Sequence, residues 1–261
     1  MINSGKSNLV LLDSKSAWFR VIILFILALI GTVGMWSVVV FIPDIEKEFG
    51  LDRGTSSLLY AFTMIGFGFG TVAIGKVYDT FGIKKPILLA TFVLIISYYL
   101  YSIFSFYWQF LVLQFFMGFA ASSFFGPAMA DISNFFNKQR GFALSIVASA
   151  NYVAGAKWPL LIGYFLKFID WRTTHYWISI CLFIMIPLIF LLKDASVDES
   201  KPQDIKQRYR EIKLKLSNNQ IQILLMLAGV CCCVAMAMPQ VHMVALCVDN
   251  GFGLQVGTEI L

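Results

Sequence analysis

"GKVYDTFGIKKP", residues 75–86, lies between two long apolar runs, and its reading decides how the rest of the chain is read. The stretch holds Asp79, Lys76, Lys84, Lys85, Gly75 and Gly82. Residues 55–75 before it and 86–106 after it are almost free of charge. About 20 apolar residues make a helix long enough to cross a ~30 Å hydrocarbon layer. The stretch therefore reads as a tight polar turn joining two membrane spans. Gly75 allows a helix end to approach a neighbour, and Gly82 permits the sharp reversal. Asp79 can face a helix N-terminus, where negative charge is favoured. Lys84 and Lys85 hold the turn on one side of the bilayer.

Composition supports a lipid solvent. The chain is 59% hydrophobic and 13% charged, with 25 Phe and a mean hydropathy of +0.77; soluble domains carry about 25% charged residues. Seven apolar segments are long enough to span: 18–42, 55–75, 86–106, 108–130, 141–168, 174–192 and 221–248. An eighth begins near Gly257. The first follows a polar N-terminus and ends in charged sequence, with no small-residue cleavage site, so it reads as a retained span. Cys181, Cys231, Cys232, Cys233 and Cys247 all lie in apolar runs, and no cysteine–histidine spacing suited to a metal appears. No metal or cofactor is expected.

Basic residues orient the spans. With the N-terminus on the cytoplasmic side, fifteen of the 20 Lys and Arg fall inside and four outside; the twentieth is Lys157, within a span. This is the positive-inside bias. It accounts for the net charge of +5 without a nucleic-acid partner. The expected organisation is a six-helix bundle over 1–192, a cytoplasmic linker over 193–220, and the start of a second bundle over 221–261. Within the linker, "QRYREIKLKL" reads either as a basic amphipathic helix on the membrane surface or as a solvated connector. Six spans, a long linker and further spans is the layout of transporters built from two halves.

The turn at 75–86 resembles the cytoplasmic signature of the major facilitator superfamily: a glycine, an acid four residues on, another glycine, then basic residues. Tyr78 and Thr80 depart from the usual small or basic residues. "FIPDIEKEFGLDRGTSSLLYAF" (41–62) and "MPQVHMVALCVDNGFG" (238–253) are similar to the first outside loop and the seventh span of the monocarboxylate and oxalate/formate branch. "NKQRGFALSI" (137–146) and "DWR" (170–172) fit the connections around the fifth span. The resemblance implies an all-α major facilitator fold, here the N-terminal six-helix half plus the start of the second, in a C-terminally truncated chain. It also implies a conformational latch made by Gly75, Asp79, Gly82, Lys84 and Lys85, with Asp131 pairing with Lys84 or Arg140. "GFGFG" (66–70) sits inside a span, so it reads as a small-residue packing face and not as a nucleotide loop.

Lys157 interrupts "VASANYVAGAKWPLLIGYF" (147–165). Exposing such a charge to lipid costs at least ~2.5–3.5 kcal/mol, so it is expected to face the bundle interior or a wet cavity. Three readings stay open: it binds a substrate carboxylate, it pairs with an acid elsewhere in the protein, or it is a neutral or peripheral lysine. In relatives that carry monocarboxylates the pairing cations lie mainly in the first and eighth spans, and this first span has none. Trp36, Asn151, Tyr152, Trp158 and Gln114 join Lys157 as candidate substrate contacts, each with helix packing as the alternative. Pro159 is expected to kink the fifth span. His242 is a candidate proton carrier, or a packing histidine.

These features point to a secondary transporter in the cell (inner) membrane that moves a small organic solute, a monocarboxylate or related anion, with a proton or counter-anion. The alternative is a membrane sensor or an inactive relative that transports nothing. A membrane enzyme would require a cluster of acids, bases or metal ligands, and the sequence shows none.

Overall fold

The structure is a computed structural model that describes residues 12–192 and 217–260. The expected surface helix at 207–216 lies outside the described residues. Helices make up the chain in the order α1 (Lys15–Gly31), α2 (Val33–Phe49), α3 (Arg53–Phe81), α4 (Lys84–Ile103) and α5 (Tyr107–Ala121). A 3-10 turn (Ser122–Phe124) and α6 (Gly126–Phe135) complete the fourth span. Then come α7 (Arg140–Phe165), α8 (Trp171–Leu182), α9 (Met185–Leu191), α10 (Asn218–Asp249) and α11 (Gly253–Ile260). Among the described residues no strand occurs.

Hydrocarbon offers no hydrogen-bond partner, so each span closes its own backbone bonds as a helix. Four spans are long and apolar enough to cross a membrane and lie at Arg53–Phe81, Lys84–Ile103, Tyr107–Phe135 and Trp171–Leu191; a fifth is Lys15–Phe49. At 26 residues α7 is as long as these, but Arg140, Asn151 and Lys157 make it less apolar.

The helices outrun the apolar segments because charged residues complete their end turns. One consequence corrects the reading of 75–86. α3 continues to Phe81, so Gly75 and Asp79 stand in its last turns and not in a loop. Nothing lies within 4 Å of where a Gly75 Cβ would be, so the expected close approach is absent there. Asp79 is exposed. The reversal itself is at Gly82, with φ +73, whose amide donates to the Tyr78 carbonyl at 2.8 Å. The Lys85 ammonium lies 4.6 Å from the centroid of the Phe81 ring.

Two helix starts use the same device. Asp52 accepts from the Thr55 amide at 3.1 Å and the Thr55 hydroxyl at 2.6 Å. Asp170 accepts from the Thr173 amide at 3.0 Å and hydroxyl at 2.7 Å. These bonds, the hydroxyl bond first, hold both carboxyls below the usual carboxylate range. The caps are therefore complete above the ordinary carboxylate pKa and are lost only as pH falls through the lowered folded values.

Packing follows residue size. α3 lies along α5, α4 along α8, and α1 along α7. Where α3 and α5 touch, a Cβ on Gly66 would strike the Phe115 backbone, one on Gly70 the Phe119 backbone and the Ser122 side chain, and one on Gly118 the Thr63 backbone. This is the small-residue contact that lets membrane helices approach closely enough for dispersion and interhelical hydrogen bonds to hold them. α10 packs on α2, and α11 packs on α7. Phe69, Val72, Leu89 and Phe190 are exposed, which is where lipid tails lie in a membrane.

Replacing Gly118 with Val should force α3 and α5 apart and cost roughly 1–3 kcal/mol, the usual penalty of overpacking. Gly68→Val, with open space around it, should cost much less. Thermal midpoints of the two variants in detergent check this.

Candidate functional site

The spans are interrupted where they meet. α1 ends at Gly31 and α2 begins at Val33, with Thr32 between them. Both the amide and the hydroxyl of Thr32 donate to the Ala28 carbonyl, at 3.1 and 2.7 Å. The fourth span breaks at the 3-10 turn, whose Phe124 ring packs against Gly31. α7 contains Pro159, which lacks the N–H that would bond the Gly155 carbonyl.

Tryptophans bridge these interruptions. Trp158 donates from Nε1 to the Leu29 carbonyl at 2.8 Å. Trp36 donates from Nε1 to Asn151 Oδ1 at 3.3 Å. Its indole lies against Gly155, where an added Cβ would come within 2.7 Å, so only glycine leaves room for it. Asn151 thus commits its oxygen to Trp36 and keeps two N–H donors. An amide N–H pair, a proline-freed carbonyl and two indoles can hold a small polar solute by hydrogen bonds and apolar contact.

The other expected site residues fall elsewhere. Lys157 is exposed. It lies ~26 Å from Arg140 and ~12 Å from Phe165 along α7, taking 1.5 Å per residue, which puts it ~7 Å from the middle of the helix, towards the Phe165 end. Six residues separate it from Asn151, so it points about 120° away from the Trp36 face at 3.6 residues per turn. Its neighbours on that side, Val153, Leu160 and Tyr164, are exposed apolar residues. Tyr152 is exposed as well. Gln114 is buried between helices: Oε1 is 2.9 Å from the Thr63 hydroxyl of α3, and Nε2 donates to the Tyr101 hydroxyl of α4 at 3.2 Å. His242 is half-buried on α10.

At the end of the bundle where α1 begins, Asp131 does not pair as expected. Its carboxylate faces Arg20 of α1, with Nε–Oδ2 at 2.5 Å and Nη2–Oδ1 at 2.9 Å. Both side chains are below 10% exposed. The Arg20 guanidinium also lies 4.5 Å from the centroid of the Phe135 ring. The expected pairing with Lys84 or Arg140 gives way because Arg20, counted in the sequence as a flanking charge, is drawn into the bundle. Arg140 begins α7, where Asp13 accepts from the amides of Asn137, Lys138 and Gln139 at 3.0 to 3.3 Å. Among the described residues no group of His, Cys, Asp and Glu is arranged to hold a metal.

Sequence reasoning passed over His175. It is buried, stacked on Tyr101 at 4.4 Å and 4°, with Nδ1 2.8 Å from the Trp171 carbonyl. It also passed over Ser123, whose buried hydroxyl has no hydrogen-bond partner among the described residues. Nothing near either residue in the sequence sets it apart from ordinary span residues.

The chain matches the Major Facilitator Superfamily over residues 24–260. It belongs to that family, whose members are multi-pass membrane transporters. It is 28% identical over 158 residues to the agnestins efflux protein AgnL12 of Paecilomyces divaricatus, covering 58% of this chain and 35% of that one. It is 32% identical over 97 residues to the MFS transporter asaE of Aspergillus flavus, covering 37% and 22%. Its fold is similar to the inward-open xylose transporter XylE of E. coli, with a TM-score of 0.59 and 13% identity over 90% of this chain and 56% of that one. The chain thus spans 35% and 22% of the length of these two curated relatives and 56% of XylE.

Breaking the Arg20–Asp131 pair by Arg20→Gln or Asp131→Asn should cost about 3–5 kcal/mol, because the remaining charged or polar partner stays buried alone. The double variant Arg20→Met with Asp131→Leu should recover most of the loss. Melting curves of the detergent-purified proteins give the comparison.

Proposed function

We propose that this protein is a secondary active transporter that carries a small organic anion, of the monocarboxylate type, by alternating access. Membership in the Major Facilitator Superfamily supports the transporter class. Lys157 carries the anion reading: it is a cation within a membrane-length helix, on an exposed side, where contact with lipid is costly. A wet path between two halves of the complete transporter offers that charge water and an anion in place of lipid.

In this reading the solute carboxylate meets Lys157. The rest of the solute lies along the side of α7 that carries Lys157, beside Val153, Leu160 and Tyr164, while Trp36 and Asn151 bond to each other on another face and hold α7 against α2. No nucleotide or other cofactor takes part. Transport is driven by a co-moved proton, with His242 as the candidate carrier, or by exchange for a counter-anion. The relative named as an efflux protein makes outward movement a direction to test beside uptake. The Gly82 turn and the Arg20–Asp131 pair would hold the cytoplasmic ends of the spans during rocking, with the N-terminus on the cytoplasmic side of the cell membrane.

The test is transport of labelled organic acids and of neutral sugars by the protein in proteoliposomes. Lys157→Leu should lower organic-anion transport at least about tenfold, the loss expected for a bond to a charged group, while its thermal midpoint stays unchanged. Lys157→Arg should keep part of the activity. Unchanged anion transport in Lys157→Leu would remove the anion reading.

A further inference from the structure

At the end of the bundle opposite Arg20 and Asp131, α7 finishes and α11 begins. Gly251 and Gly253, with φ +78 and +80, turn the chain sharply between α10 and α11. Small residues then bring the helices together. A Cβ on Gly163 would come within 2.8 Å of the Thr258 hydroxyl, and one on Gly257 within 2.8 Å of the Val244 backbone. Beside these contacts lies a cavity of about 520 Å³, whose lining includes Leu166, Lys167, Phe252, Gln255, Val256 and Glu259. Sites that hold small molecules run from ~300 to ~1,000 Å³.

The cavity carries two opposite charges that do not meet. Among the described residues the Lys167 ammonium has neither an ion pair nor a hydrogen bond, and Glu259 has no ion pair. The Glu259 carboxylate accepts only from Gln255 Nε2, one turn back, at 2.8 Å. The two charges also stand at one level. Gly163 and Thr258 are in register, and Lys167 is ~6 Å beyond Gly163 at 1.5 Å per residue. Helical side chains lean towards the N-terminus, so the Glu259 carboxylate rises towards Gln255, itself ~6 Å nearer the helix start. A cation and an anion held apart across one cavity are matched by a molecule that bears both charges. Its place narrows the choice. The end of a span lies in the headgroup layer, ~5–8 Å thick on each side of the hydrocarbon, and Tyr164, exposed at the same end of α7, is a residue type enriched there. Leu166 and Val256 offer apolar contact to glycerol and the first acyl carbons. Phe252 is the one aromatic residue in the lining, so no aromatic cage suits a quaternary ammonium. A carboxylate instead suits a primary ammonium, which has three N–H donors to give.

We propose that this cavity binds a phospholipid headgroup of the phosphoethanolamine type, with Lys167 on the phosphate and Glu259 on the primary ammonium. The headgroup ties α7 to α11 through charges that the protein itself leaves apart. The site is separate from Lys157, and the assignment is independent of the solute carried.

The experiment is native mass spectrometry of the detergent-purified protein offered equal amounts of phosphatidylethanolamine, phosphatidylcholine and phosphatidylglycerol with identical acyl chains. Phosphatidylethanolamine should be retained about two- to fivefold over each of the others, the range that an exposed charge pair supplies. Glu259→Gln should remove that preference. Lys167→Gln should lower bound phosphatidylethanolamine by a similar factor. Val256→Trp, which fills the cavity and leaves both charges in place, should also remove the preference. Lys167 and Glu259 are exposed, so their variants should keep the thermal midpoint, and lost retention then reports the site and not the fold. Soluble glycerophosphoethanolamine at the same concentration should not displace the lipid. Equal retention of the three lipids overturns the proposal, as does a preference that survives Glu259→Gln. Displacement by the soluble phosphodiester overturns the lipid as occupant. Lys157→Leu should leave lipid retention unchanged, so failure of the anion reading and failure of this one are told apart.

Discussion

A lipid interior supplies no donors or acceptors, and the structure is organised by where the backbone is allowed to break. A helix interrupted against lipid would leave bare carbonyls, each worth several kcal/mol. Here the interruptions at Thr32, at Ser122–Phe124 and at Pro159 lie on neighbouring spans. Indole N–H groups and a threonine hydroxyl bond at or beside two of them. The same constraint explains why side-chain hydrogen bonds to backbone carbonyls occur beside the breaks in the first and fifth spans. Discontinuous helices near the midplane are where transporters of this architecture gather ligand groups.

Charge is handled by position. Towards one end, Arg20 and Asp131 are both buried, bonded twice and backed by an aromatic ring. At the other end, Arg53, Glu46 and Asp249 share charge at the solvent boundary, and Arg172 meets Glu48 and the Trp171 face. Water can screen the second group and not the first. One end of the first six spans is therefore stiffly tied, and the other is joined to the seventh by contacts that solvent can replace.

Much of the fold was legible because a bilayer simplifies the reading. Length and hydropathy located the spans, and the glycine spacing at Gly66 and Gly70 marked a packing face, though not the α5 partner it meets. Helix ends were less legible, since Arg53 and Lys84 are charged yet complete helical turns. The break at Thr32 has no local signature beyond Gly31. Gly126 and Pro127 stand where α6 begins after the fourth-span interruption, but the sequence reading ran that span unbroken over 108–130. Of the site, Lys157 and Asn151 stood out as polar residues in an apolar helix. The Trp36–Asn151 bond spans 115 residues, and Arg20 was hidden for the same reason: its partner is fixed by packing and not by spacing. Lys157 was legible as a charge, but its direction on the helix depends on the neighbours α7 acquires.

The Arg20–Asp131 pair also bears on how the chain is made. The two residues are 111 positions apart, and ribosomes add about 5–20 residues per second. Arg20 is therefore made roughly 6–22 s before its counter-charge has been synthesised. During that interval Arg20 can reach the headgroups by extending its side chain along the interface. The first helix then has reason to sit shallow, or in the insertion machinery, until the fourth arrives. Asp13 waits longer still, because the amides it binds at 137–139 come after the fourth span. The contacts that the N-terminal segment makes with Asp131 and with residues 137–139 can therefore form only after the fourth span has been made.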